Sequence, residues 1–87
     1  MKIQAEVSIY PMKTQSLSEP IRVFCRTLKN SDLDVHTRSM STFVIGESDM
    51  VFTALHKAFE KLAEQYYVVM DFKLSNACPD ERRYSWD

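Results

Sequence analysis

At 87 residues the chain falls short of the ~100–150 residues at which domains cluster, so it makes one domain and excludes a catalytic domain joined to a second one. With 45% hydrophobic and 26% charged residues it is ordinary globular sequence, not disordered sequence. Eleven Lys and Arg against twelve Asp and Glu argue against nucleic-acid phosphate or an anionic membrane as the main partner, and leave little repulsion against self-association.

The first element alternates. Ile3, Ala5, Val7 and Ile9 share one parity, while Gln4, Glu6, Ser8 and Tyr10 share the other, the pattern of a half-buried strand that Pro11 is expected to end. Ser18 is expected to cap a helix with Pro20 in its first turn, and Ile21, Phe24, Cys25 and Leu28 follow as a stripe at helical spacing, closed by Asn30, Ser31 and Asp32. Asp34 to Met40 and Ser41 to Glu47 read as a strand pair, although Arg38, Ser39, Met40 and Ser41 offer no strong turn signal. Gly46, the only glycine, marks a place where a side chain would clash or the backbone must turn sharply. Ser48 is expected to cap a second helix whose apolar stripe is Val51, Phe52, Leu55, Ala58, Phe59 and Leu62. A last strand, Tyr66 to Ser75, alternates again.

The order β-α-β-β-α-β, with right-handed crossovers, predicts an α+β, ferredoxin-like domain: a four-stranded antiparallel sheet with both helices on one face. It spans residues 1–79, with a polar C-terminal tail over 80–87. The other face then carries Glu6, Ser8, Tyr10, Asp71, Lys73 and Ser75, and no helix is left to cover it.

The chemistry available is that of binding. His36 and His56 have no third ligand at metal spacing, and neither cysteine lies in a Cys-x-x-Cys pair, so neither a metal nor a cofactor is expected. Cys25 reads as a small core hydrophobe, and Cys78 has no base near it in sequence. Two cysteines make no staple framework, and Met1 to Met12 lacks a basic segment followed by an unbroken apolar run, so the expectation is a reduced, cytoplasmic protein. The stretch Ser41 to Gly46 lacks the aromatic pattern by which RNA-recognition domains stack bases. Ser8, Tyr10 and Asp71 on one face suit a small polar heteroaromatic ligand, with a ring to stack, a hydroxyl to orient and a carboxylate to accept from an amino group. The same residues also read as an ordinary solvated face.

The segment Val7-Ser8-Ile9-Tyr10-Pro11-Met12 resembles the Ser-x-Tyr-Pro-Leu/Met opening of the YkoF-like thiamine-binding family. Thr37 to Glu47 is similar to that family's Thr-x-x-(Met)-x-Thr-x-x-x-Gly hairpin, and Val51-Phe52, Val68-Val69-Met70 and Asn76-Ala77-Cys78-Pro79 resemble its later elements. Many relatives carry glycine where Ser41 stands, and two-domain members hold in one chain what this chain would assemble from separate subunits. The resemblance implies a non-enzymatic binding protein for thiamine or its hydroxymethylpyrimidine moiety, acting in vitamin salvage, transport or supply, with a homodimer or homotetramer as its assembly. On the matched motifs the expected ligand contacts are Ser8, Tyr10, Met40, Ser41, Thr42 and Asp71. A regulatory or assembly module that uses the open face only as a subunit interface is the rival reading, and a small hydrolase or isomerase is a third.

Overall fold

The computed structural model describes residues 1–77; Cys78 and the tail lie outside them. The elements run β1 (Lys2–Met12), α1 (Ser18–Lys29), β2 (Asp34–Thr37), β3 (Thr42–Glu47), α2 (Ser48–Ala63) and β4 (Tyr67–Ser75). The strands form a four-stranded antiparallel sheet in the order β2-β3-β1-β4, the expected ferredoxin-like topology.

Register assigns the faces. Ala5 sits opposite Val44 on one side and Leu74 on the other, and Val7 opposite Thr42 and Phe72, so these residues share the helix-packed face. The core is built there from Ile3, Ala5, Val7 and Val44, with Phe24 and Leu28 from α1 and Val51, Ala54, Leu55, Ala58 and Leu62 from α2. Each Leu or Phe buried in this layer contributes about 1.5–3 kcal/mol relative to exposure.

Several local expectations are corrected. Pro11 does not end β1: it pairs with Val68, and the strand runs on to Met12. β1 pairs with β3 only as far as Val7, so Pro11 lies where the strand has a single neighbour and a missing amide is tolerated. Lys13 then turns the chain with φ 56°, the one non-glycine residue in the left-handed region among those described. β2 stops at Thr37 and β3 starts at Thr42, leaving a hairpin tip closed by Arg38 N–H donating to the Ser41 carbonyl at 2.8 Å. Neither Ser18 nor Ser48 is an N-cap; the caps are Leu17 and Glu47, with no side-chain bond. The first-turn amides of α2 are served instead by the Met1 carbonyl, which accepts from Ser48 N–H at 2.8 Å, and by Asp49 Oδ1, which accepts from Met50 N–H at 2.9 Å.

The stripe of α1 is Pro20, Phe24 and Leu28, so Ile21, one residue round the helix, is exposed and Cys25 is half-buried. Phe52 and Phe59 are not core residues. Met50, Lys57 and Lys61 line a groove against Thr27 of α1 and Asn30 and Ser31 just beyond its end, which leaves both phenylalanines on the flank of α2 turned away from α1. Among the described residues no element covers that flank, and Phe52 stays 49% exposed and Phe59 37%. Gly46 fulfils the steric half of its expectation: a Cβ there would collide with the Leu33 side chain, while its backbone needs no positive φ.

Candidate functional site

The open face of the sheet is organised in cross-strand rows. One row reads Asp34, Ile45, Gln4, Ser75; the next His36, Phe43, Glu6, Lys73; beyond these Ser8 faces Asp71 and Tyr10 faces Val69. The hairpin tip folds over these rows and is held by two hydroxyls. Ser8 Oγ donates to the Met40 carbonyl at 3.3 Å, and Ser41 Oγ donates to Glu6 Oε2 at 2.9 Å. The Met40 side chain, 88% exposed, projects from the tip.

Two depressions flank this tip. The smaller, about 230 Å³, brings together Ser8, Tyr10, Met40, Ser41 and Asp71, with Glu6 and Lys73. The larger, about 760 Å³, runs over β1, β3 and β2 and shares Glu6, Met40 and Ser41 with the first. Five of the six expected contacts therefore meet at one place. Thr42 does not join them: it pairs with Val7 on the helix-packed face, is 6% exposed, and reaches only a small hollow of about 100 Å³ behind the hairpin. Ser8 and Ser41 are brought to the site, but their hydroxyl protons are committed to positioning the tip.

Residues absent from the expected set dominate the larger depression. His36 Nε2 lies 2.9 Å from Asp34 Oδ1, and the guanidinium of Arg38 sits 5.8 Å from the centroid of the Phe43 ring. The Lys13 ammonium is likewise 4.9 Å from the Tyr67 ring, at the far end of the same face. The signal for Phe43 lay in the parity of β3. Once Gly46 and Val44 are placed opposite Ile3 and Ala5, Phe43 and Ile45 must face outward. Among the described residues no group of three or more His, Cys, Asp or Glu could hold a metal ion, and no helix is long and apolar enough to cross a membrane.

The family model of the YkoF-related family matches residues 2–81. This chain belongs to the YkoF-related family. Solved structures with the same fold include a hypothetical protein of Methanocaldococcus jannascii, 30% identical, covering 91% of this chain and 84% of its own, with a TM-score of 0.81. A Streptococcus pneumoniae protein is 19% identical over 86% of each chain, with a TM-score of 0.80. A candidate thiamine biosynthesis/salvage protein of Thermotoga maritima is 12% identical over 99% of this chain and 91% of its own, with a TM-score of 0.79. At those last two identities the likeness concerns the fold. No curated protein matches the chain.

Proposed function

We propose that this YkoF-related chain binds thiamine or its hydroxymethylpyrimidine moiety on the open sheet face, holding the ligand without turning it over, in the cytoplasmic supply, transport or salvage of the vitamin. The observation that carries the reading is the convergence of Tyr10, Asp71, Glu6, Met40 and the pinned hairpin tip on one depression. An aminopyrimidine presents an amino donor beside ring-nitrogen acceptors on a flat ring. The Asp71 carboxylate accepts from the amino group, the Tyr10 ring stacks, and the tip fixes the edge against which the ring lies. The thiamine name of the Thermotoga maritima neighbour agrees with this, although what that protein lends is the shape of the scaffold.

The assembly that goes with this reading is a homodimer or homotetramer formed through the open face. A second reading, a module whose open face serves only as a subunit interface, is favoured by the exposed Tyr67, Val69 and Met12 at one end of that face.

Thermal unfolding in the presence of thiamine and of hydroxymethylpyrimidine separates the two readings. A ligand at ~100 Kd adds about 2.7 kcal/mol to the native state, so a clear rise in Tm is expected with at least one of them. An unchanged Tm at millimolar ligand, with a mass well above 10.2 kDa, would support the interface module instead. Chromatography of the ligand recovered after prolonged incubation tests for turnover, and finding it cleaved or isomerised would overturn the non-enzymatic assignment.

A further inference from the structure

We infer that the Phe43 ring, flanked by Glu6, is a cation subsite of the open face, and that the Arg38 guanidinium occupies it as a placeholder that a ligand's positively charged aromatic ring displaces. The inference rests on the binding role proposed above and assigns the second half of that site.

The geometry comes from three strands. Phe43 is half-buried on β3, with Glu6 of β1 directly opposite on one side and His36 of β2 on the other. The Cβ atoms of such cross-strand neighbours stand ~5 Å apart, so the Glu6 side chain rises from the sheet beside the Phe43 ring. Glu6 Oε2 accepts from Ser41, whereas among the described residues nothing donates to Oε1. Lys73 faces Glu6 from β4 without coming within ion-pair distance. A cation already sits over the ring: Arg38 is 5.8 Å from the centroid, inside the ~6 Å range of a cation–π contact.

Arg38 is suited to leave. It lies in the hairpin tip outside both strands, is exposed, and makes no ion pair among the described residues. His36 is engaged with Asp34, so the acid beside the ring that remains for a ligand is Glu6. A delocalised, weakly hydrated cation gains more from an aromatic face next to a carboxylate than a compact ammonium does. Phe43 and Asp71 stand two strands across and two residues along the sheet from each other, about 12 Å between backbones, and the two depressions share Glu6, Met40 and Ser41 in their linings. A ligand of two linked rings would set its thiazolium-like ring on Phe43 and reach with its aminopyrimidine toward the Asp71 carboxylate across Glu6 and Ser8.

Calorimetry on the full chain tests this with three probes: hydroxymethylpyrimidine, thiamine and 3,4-dimethylthiazolium. Phe43→Leu keeps an apolar side chain but removes the ring, and is expected to weaken thiamine about five- to thirty-fold while leaving hydroxymethylpyrimidine unchanged. Arg38→Gln removes the placeholder and is expected to tighten thiamine about two- to five-fold. Phe43→Tyr, which retains a ring, should bind as the wild type does, and Phe43→Met, apolar and ring-free, substitutes for Phe43→Leu if that variant fails to fold. A loss of thiamine affinity in Arg38→Gln would overturn the inference, as would equal losses for both ligands in Phe43→Leu. Equal wild-type affinity for thiamine and hydroxymethylpyrimidine would refute the cation subsite and leave the binding role standing. If wild type binds neither, the binding role fails, and dimethylthiazolium decides the subsite alone: binding to Arg38→Gln that is lost with Phe43→Leu supports it, and no binding refutes it.

Discussion

The hairpin tip stands where it does because Ser8 of β1 reaches up to it and Ser41 of the tip reaches down to β1, and removing the two hydroxyls one at a time measures that. Ser41→Ala deletes the donor to Glu6 Oε2 at 2.9 Å. Hydrogen bonds to charged groups contribute about 1.5–3 kcal/mol. Glu6 is only half-buried and water can replace part of what it loses, which brings the loss to the bottom of that range or just below it, about 1–1.5 kcal/mol. Ser8→Ala removes a longer bond, 3.3 Å to the Met40 carbonyl in an exposed position, and costs about 0.5 kcal/mol. In a domain of this size 1 kcal/mol moves Tm by roughly 4–8 °C, so Ser41→Ala should melt ~4–12 °C lower and Ser8→Ala ~2–4 °C lower. Both bonds hold the same tip, so the double variant should lose less than the two losses added together. Circular dichroism melts at one fixed protein concentration read this out, since any self-association would make Tm depend on concentration. A Ser41→Ala protein as stable as wild type, or less affected than Ser8→Ala, would refute the latch and return both hydroxyls to direct ligand contact.

Other expectations follow from the same geometry. Gly46→Val drives a side chain into Leu33 and should destabilise by about 1–3 kcal/mol in chemical denaturation; adding Leu33→Ala should restore part of that loss, and simple addition of the two losses would show that the contact is not the cause. Thr42→Val should leave thiamine affinity unchanged, because the side chain lies on the helix-packed face; calorimetry showing a loss would place Thr42 in the site after all. Val69→Glu puts a charge on the open face beside Tyr10 and should shift the light-scattering mass toward the 10.2 kDa chain, whereas an unchanged oligomer would move the interface elsewhere.

The fold was legible because β1 and the two helices announce themselves. Ile3, Ala5, Val7 and Ile9 alternate with polar residues, and α2 has a buried stripe at helical spacing. Strand order then followed from chain order and crossover handedness. β3 was harder. Phe43 and Ile45 are as apolar as Val44, so alternation gives no parity, and the hairpin motif that carries the family resemblance drew Thr42 toward the ligand although its partner Val7 puts it in the core. Arg38 over Phe43 was beyond reach for a related reason: it depends on how the tip folds back, and that is set by side-chain bonds to β1 from residues 32 and 35 positions away. Phe52 and Phe59 misled because periodicity shows which residues could share a stripe, not how wide a stripe the sheet can cover. The layer beneath α2 ends at β4, and the stripe is cut there.

One property of the site ties ligand and assembly together. Ligand sites usually enclose 300–1,000 Å³ and bury most of the ligand, and the larger depression, at about 760 Å³, has the volume. A sheet supplies only a floor, however, and the wall offered by the described residues is the hairpin tip with its projecting Met40. A flat ring lying on Phe43 or on Tyr10 would keep its upper surface in water. A second copy laid against the same face would supply the missing wall, using the exposed Tyr67 and Val69 as its own contacts. Ligand binding and assembly on the open face are then not exclusive: the interface that buries the apolar end would also close the depression. Where a two-domain relative joins the halves covalently, a single-domain chain would have to associate first, and its apparent ligand affinity would rise with protein concentration through the association range.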